Sequence, residues 1–185
     1  MITPVTYEEA VKALAAFLDS KSGLDPDRIL NADSARGTDL SEMISDSQTY
    51  SPSASSSLML FELIEPGDGE HFATTDKKPS DMMTIQSYDL HLMIYGNSSP
   101  NDAQRISAAF KQPDNAYSLR EKGLFIDGVS EITPVNEFVN NTLLLRRDLM
   151  IHVKTRQIFK NIVEDPGEFD ETQSITLVVR TASNA

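Results

Sequence analysis

Alternation of apolar and polar residues in two separate stretches constrains the fold of this chain more than any other feature. In the first stretch, MTIQSYDLHLMIYG at 83–96, every second side chain falls on the same face of a strand. One face carries Gln86, Tyr88, Leu90, Leu92 and Ile94, and the other carries Ser87, Asp89, His91, Met93 and Tyr95. The pattern predicts a strand with one face in the core and one face in water.

A second stretch, residues 142–159, repeats this pattern. One of its faces carries Leu149, Ile151, Val153 and Phe159, and the other carries Arg146, Asp148, Met150, His152, Lys154, Arg156 and, just beyond, Lys160. Because the two stretches share the same period and the same division into apolar and polar faces, we expect them to lie in one sheet.

Helical patterns begin the chain and follow the first strand. Thr6 and Glu9 have the spacing of a capping box, which predicts a helix from about Tyr7 to 19. After the first strand, Ser99 is predicted to be an N-cap with Pro100 at the first helical position. The buried stripe expected for this helix is Ala103, Ile106, Ser107 and Phe110. A short helix over 114–122 should end at Gly123.

The remaining patterns predict further strands. Residues 58–65 are apolar on both faces, which indicates a central strand or one covered by another subunit. Residues 28–33 are predicted to form a short strand, and 124–134 an extended segment that is irregular at Asp127 and Gly128. An acidic turn at 164–171 precedes a last strand with Ile175, Leu177 and Val179 on one face. This order predicts an α+β fold, a mainly antiparallel β-sheet with helices packed on one face.

The length of 185 residues predicts a single domain, 1–185. Within it, 34–57 is rich in Ser and acids and has hardly any apolar periodicity, so we predict a long mobile loop or arm there. Residues 66–81 are predicted to form a turn and a polar loop, and an extended C-terminal segment is expected at about 160–185.

Composition removes several classes of function. The chain has no Cys, which excludes disulfides, thiolate zinc sites and Cys nucleophiles. A formal net charge of −12 argues against binding to nucleic acid by counterion release and against an anionic membrane. With no secretory pattern and no apolar run near membrane length, the chain is expected to be soluble and made in a cytoplasm.

The candidate chemistry is confined to one face of the predicted sheet. His91 and His152 lie on the polar faces of the two matched strands, with Asp89 and Asp148 near them in sequence. Such a set binds a metal or shuttles protons in a small enzyme, or it forms ordinary cross-strand polar pairs. The second interpretation is favoured because the His residues lack metal-ligand spacing, so we predict no catalytic, metal or cofactor-binding residues.

Two charged clusters carry alternative interpretations. The acidic stretch EDPGEFDE at 164–171 is a candidate for Ca²⁺, but it lacks the spacing of a calcium loop and is better explained as a solvated turn. The basic side chains of the second strand form either a nucleic-acid patch or partners for acids of a neighbouring copy or another protein. The negative net charge favours the second explanation.

The stretch from about Asp81 to Phe159 resembles the neck or tail terminator proteins of tailed bacteriophages. The resemblance rests on the strand MTIQSYDLHLMIYG, the capped helix SPNDAQRISAAF, a short helix ending in Gly, the connector GLFIDGVSEITPVNEFVNN and the strand RRDLMIHVKTRQIF. It extends to the amphipathic first helix. The segment 34–57 and the region after Lys160 fall outside the pattern.

The resemblance implies a structural role in the virion, with no catalytic activity and no cofactor. Members of this family form a ring, commonly a hexameric one, at the head–tail junction, where it terminates the tail tube and joins it to the head connector. The implied partners are further copies of the chain, the tail tube protein and a head-completion or connector protein, with genome DNA passing through the lumen without specific binding. The alternatives are another neck or head-completion adaptor, or a small enzyme using His91, His152, Asp89 and Asp148.

Charge and loops complete these expectations. If acids line the ring lumen, DNA is repelled from its wall. We expect the 34–57 arm and the 66–81 loop to reach neighbouring subunits or the tube. The host, the exact number of subunits and the loops that contact each partner do not follow from the sequence.

Overall fold

A mixed sheet flanked by helices is built by the residues that the structure, a computed structural model, describes: 5–48, 57–65, 70–73, 81–139 and 142–160. The helices are α1 (Tyr7–Ser22), α2 (Ser41–Ser47), α3 (Ser99–Lys111) and α4 (Pro113–Glu121), with a 3-10 turn at Pro26–Arg28. The strands are β1 (Ile29–Asn31), β2 (Leu58–Ile64), β3 (Glu70–Ala73), β4 (Asp81–Tyr95), β5 (Leu124–Val129), β6 (Thr133–Pro134), β7 (Glu137–Val139), β8 (Thr142–Leu144) and β9 (Arg146–Lys160).

The two alternating stretches form the centre of the sheet. The strand order is β1-β2-β4-β9-β5, with β3 paired to β4 and β6 paired to β9. β4 and β9 each have 15 residues and pair in antiparallel register along their whole length, from Asp81↔Lys160 to Tyr95↔Arg146. Only β1 and β2 are parallel among the pairs described, and β7 and β8 form a separate hairpin. The predicted α+β fold with a mainly antiparallel sheet is therefore confirmed.

One face of this sheet packs against α1, α3 and α4. The sheet contributes buried side chains of β2, β4 and β9, namely Met59, Phe61, Leu63, Tyr88, Leu90, Leu92, Ile94, Leu149, Ile151 and Val153. The helices contribute Ala10, Leu14, Phe17, Leu18, Ala103, Ile106, Phe110 and Leu119. The apolar faces predicted for β4 and β9 are thus the faces that lie in the core, apart from the half-buried Gln86 and from Phe159, whose side chain is not among those described. The interior position of β2 agrees with its predicted central place.

The first helix begins where its capping box predicts. The Thr6 amide donates to Glu9 Oε2 at 2.8 Å, and the Glu9 amide donates to Thr6 Oγ1 at 3.3 Å. The backbone hydrogen bond from Thr6 lowers the pKa of the Glu9 carboxyl, because it favours the charged form. The helix continues past residue 19 to Ser22, since its last turn is held by the buried side chains of Leu18 and Ser22.

The start of α3 lies one residue before the predicted one. Ser98 is the N-cap, with helical backbone angles and no capping hydrogen bond from its side chain, and Ser99 is the first helical residue. Ser99 is fully buried. The prediction that Ser99 caps the helix is therefore wrong. The predicted stripe of the helix, Ala103, Ile106, Ser107 and Phe110, is buried as expected.

Three loop predictions need correction. The segment 34–57, predicted as a long mobile arm, contains α2, and the Ser47 carbonyl accepts a hydrogen bond from the Asn97 amide at 3.2 Å. The segment 66–81, predicted as a turn and a polar loop, contains β3, which pairs with the first residues of β4. The predicted strand 142–159 is interrupted at Leu145, so that β8 pairs with β7 while β9 joins the main sheet.

The predictions for β5 and α4 agree with the structure. Residues 124–129 pair with β9, and the register shifts between Ile126 and Gly128, where the sequence predicts an irregularity. The last short helix, α4, ends just before Gly123. The acidic turn at 164–171 and the strand at 175–179 lie outside the described residues.

Candidate functional site

The second face of the sheet, opposite the helices, carries all four residues of the candidate chemistry. β4 presents Asp89, His91, Met93 and Tyr95 there, and β9 presents Arg146, Asp148, Met150, His152 and Lys154. The register places Tyr95 opposite Arg146, Met93 opposite Asp148, and Asp89 opposite His152. The polar side chains of the two strands are therefore within reach of one another across the strands.

Asp148 is the centre of the larger cluster on this face. Its carboxylate accepts hydrogen bonds from Arg146 Nε and Nη2, each at 2.6 Å, in the bidentate geometry that guanidinium groups favour. His91 Nε2 lies 3.0 Å from Asp148 Oδ2. The side chains of Arg146 and Asp148 are only 15% and 16% exposed, so this contact is shielded from water. The cluster joins β4 to β9 near one end of the sheet.

Tyr95 extends this cluster toward the end of the sheet. Arg146 Nη1 donates to Tyr95 Oη at 3.3 Å, and the guanidinium carbon lies 5.5 Å from the centre of the Tyr95 ring. Leu58 of β2 is directly opposite Tyr95, and both side chains are buried. At this end of the second face, the apolar contact of Leu58 with Tyr95 therefore lies beside the charged side chain of Arg146. Farther along the strands, the same face is more exposed.

A second His–Asp pair lies farther along the strands. His152 Nδ1 lies 2.5 Å from Asp89 Oδ1, and the His152 side chain is 53% exposed. Next to it, Lys154 Nζ lies 2.9 Å from Asp127 Oδ2 at the bulge of β5. The hydrogen bond and the charge of Lys154 lower the pKa of the Asp127 carboxyl.

The four candidate residues are brought together as two cross-strand pairs. Each His contacts the Asp of the other strand, not the Asp that is its near neighbour in sequence. This confirms the interpretation as cross-strand polar partners. Within the described ranges, no group of three or more His, Cys, Asp or Glu side chains has the arrangement of a metal site. The two His–Asp pairs join β4 to β9 by polar contacts across the strands.

The basic side chains of β9 also have partners within the chain. Arg146 contacts Asp148, Lys154 contacts Asp127, and Arg147 Nη1 donates to Asn136 Oδ1 at 3.2 Å. Arg146 and Lys154 therefore have carboxylate partners within the chain, and pairing of this cluster with acids of another copy or another protein stays a prediction. The side chains of Arg156 and Lys160 are not among those described.

A junction at the end of β4 was not predicted from the sequence. The Gly96 amide donates to the Leu145 carbonyl at 2.9 Å, and the Leu145 amide donates to Gln48 Oε1 at 3.1 Å. The Asn97 side-chain amide donates to the Gln48 carbonyl. These contacts connect the end of α2, the break between β8 and β9, and the turn into α3.

We expect Asp148→Asn to destabilise the chain by about 1 to 2 kcal/mol, because it removes the charge from two shielded hydrogen bonds of Arg146. The midpoint of urea unfolding measures this change. Asp127→Asn is the matched control: its Lys154 contact is 2.9 Å long, but the Asp127 side chain is 56% exposed, and we expect a far smaller shift. Equal shifts for the two variants would show that the shielded cluster contributes no more than a surface pair.

The fold is that of a small α+β domain, and comparison with known proteins gives its family. The sequence profile of a family described as phage neck terminator protein matches residues 46–181. Because this match covers well over half of the chain, the protein belongs to that family. It is a structural protein of the phage neck and so a component of the virion.

Two further findings accompany this match. A search of curated proteins found none that matches the chain. Among the helices of the described residues, none has the length and apolar character needed to cross a membrane.

The range of the family match differs from that of the resemblance described above. It contains β2 to β9 with α3 and α4, and it begins in α2, but it leaves out α1 and β1. It also continues beyond Lys160 to residue 181, which the resemblance excluded. The match therefore includes the C-terminal segment and does not include the first helix.

Proposed function

We propose that this chain forms a hexameric ring at the head–tail junction, which terminates the tail tube and joins it to the head connector. The observation that supports this best is the family match over 46–181, because it includes every strand of the central β2-β4-β9-β5 order. The sheet and its helices form the body of each subunit. The tail tube protein on one side and a head-completion or connector protein on the other are the partners of this proposal.

The charge of the chain supports a passage for DNA. A net charge of −12 on each copy gives a ring a strongly negative field. If acids line the lumen, phosphates are repelled from the wall, and the genome slides through without being held by counterion release. Binding of the chain to DNA that weakens steeply with added salt would contradict this proposed passage.

Another neck or head-completion adaptor is the alternative within the same virion. Such an adaptor would have the same fold and the same family. It would differ from a terminator in the number of copies and in its neighbours. An adaptor that works as a monomer or a loose attachment makes no closed ring, whereas a terminator must match the symmetry of the tube end. The assembly state of the chain therefore separates the two proposals.

Mass photometry of the purified chain, with and without tail tube protein, tests the proposal. We expect a species near six times the chain mass of 20.5 kDa, at least when tube protein is present. Tube protein alone, and tube protein with a chain unfolded beforehand, are the controls. A chain that stays monomeric in both conditions contradicts the ring, and a cryo-EM map with a basic lumen contradicts the proposed passage of DNA.

A further inference from the structure

We propose that the groove between α4 and the open edge of β5 binds the C-terminal segment, about 172–181, of a neighbouring copy. This inference rests on the proposed ring and names the contact that joins one subunit to the next. It arises from three features of the chain: an apolar groove, a strand beside it that is the last of its sheet among the described strands, and the segment that follows β9.

The groove lies on the surface and has a volume of about 320 Å³. It is lined by Pro113, Ala116, Tyr117 and Arg120 of α4 and by Phe125 and Ile126 of β5. Tyr117 is 63% exposed, so a large aromatic side chain faces water at its rim. The Arg120 guanidinium carbon lies 5.7 Å from the centre of the Phe125 ring. An apolar surface with two aromatic side chains and one arginine has the residue types that commonly anchor protein contacts.

The strand beside the groove is an edge of the sheet. In the described part of the chain, β5 pairs with β9 on one side and is the last strand of the order on the other. Its residues from Leu124 to Ile126 keep regular register, before the bulge. An edge of this kind offers backbone donors and acceptors to an added strand, and the groove offers space for alternate side chains of that strand.

The segment after β9 has the pattern of such a strand. Ile175, Leu177 and Val179 alternate with Thr176 and Val178, which predicts an extended segment with an apolar face. The family match continues to residue 181 and so includes this run. The described part of the chain ends at Lys160, about 17 Å beyond the Leu124↔Thr155 pair, on the side where β5 begins.

The spacer before this run is long enough to reach a neighbouring copy. Residues 161–174 span up to about 46 Å if fully extended. The spacer contains Glu164, Asp165, Glu168, Asp170 and Glu171. Like charges in a linker favour extended conformations, which suits a contact with another subunit. Arg120 at the groove provides a positive charge that attracts these acidic side chains.

Cysteine cross-linking tests the contact directly, because the chain has no Cys of its own. Tyr117→Cys and Leu177→Cys are placed in separate, co-expressed chains, and the assembled protein is oxidised mildly. We expect a disulfide between the two chains that accumulates at least about tenfold faster than with Ser118→Cys. Ser118 is the next residue of α4, is exposed, and is not part of the groove lining.

Mass photometry of the same samples separates the possible results. A ring near six copies with a Tyr117→Cys to Leu177→Cys disulfide supports the inference. The same ring without that disulfide overturns the inference and leaves the proposed function standing. A disulfide found only when both substitutions are in one chain overturns the assignment to a neighbour. Monomers with no disulfide between chains contradict both the ring and the inference.

A charge in the groove gives a second readout. Tyr117→Glu changes an exposed residue and should leave folding intact, while it should weaken assembly by about tenfold or more in the concentration at half dissociation. Ser118→Glu adds the same charge one residue away and should leave assembly unchanged. Equal assembly of the two variants would overturn a role for the groove.

Discussion

Leu92→Ala is expected to lower the free energy of unfolding by about 3 kcal/mol. Leu92 is fully buried in the middle of β4, opposite Phe61 of β2 and Leu149 of β9. Both of those side chains are buried as well, so the removed atoms leave a cavity that sheet strands on two sides cannot fill easily. Urea unfolding, followed by circular dichroism, measures the change.

Leu143→Ala is the matched control for this substitution. Leu143 is a strand residue of the same type, in β8, but it is 43% exposed. We expect a change below about 1 kcal/mol, because little apolar surface leaves water when it folds. A shift for Leu143→Ala as large as that for Leu92→Ala would contradict the position of the core on the helical face of the sheet.

The centre of the sheet is the part of the fold that local sequence predicts best. β4 and β9 have a strict period of two, and each has one face that must be buried. When a face is buried, a shift of one residue would expose the whole apolar set, so the pattern also fixes which residues lie inside. Leu90, Leu92, Ile151 and Val153 are therefore found in the core where alternation places them.

Short elements cannot be predicted from local alternation, because their stability comes from contacts with residues that are distant in sequence. α2 has seven residues, no capping hydrogen bond from a side chain, and a Ser-rich sequence that alone predicts a loop. Contacts of Ser47 and Gln48 with Asn97 and Leu145 hold it against the end of the sheet. A single sequence gives no sign that residues so far apart will meet.

The start of α3 shows how a local signal is resolved by packing. The sequence NSSP offers two serines as candidate N-caps, and the preference for Pro in the first turn is satisfied with either. In the structure Ser99 is buried within the helix, and the preceding residue takes the cap position. The burial of Ser99 depends on neighbouring elements, so the local sequence does not show which serine takes the cap position.

The sequence predicted which residues form the candidate site, but not which of them pair with each other. Sequence placed His91 two positions from Asp89 on one face, yet such neighbours along a strand are farther apart than residues across strands. The register puts Asp89 opposite His152, and it puts Asp148 within reach of His91. Register depends on the pairing of two segments that are distant in sequence. The four residues could therefore be predicted from the sequence, but the His–Asp pairs could not.

Gly96→Ala is expected to destabilise the chain by about 3 kcal/mol, because a side chain at this position meets backbone atoms. Gly96 has a φ of 123°, and an added Cβ would lie 2.5 Å from the Ser47 carbonyl oxygen and 3.2 Å from the Ser57 Cα. Neither atom is the end of a flexible side chain, so α2 and the start of β2 must move. That movement breaks the junction that joins α2, Leu145 and the turn into α3.

Gly37→Ala separates the two causes of this effect. Gly37 also has a positive φ, 83°, but an added Cβ there meets nothing within 4 Å. It therefore measures backbone strain alone, for which we expect about 1 kcal/mol. The difference between the two variants in the midpoint of urea unfolding combines the contact with α2 and the larger φ of Gly96. Limited proteolysis reports on the contact itself, because it should cut the 34–48 region faster only in Gly96→Ala. Equal destabilisation, with equal proteolysis, would mean that α2 is not held at the end of β4, and the Ser-rich segment would then be the free arm that its composition predicts.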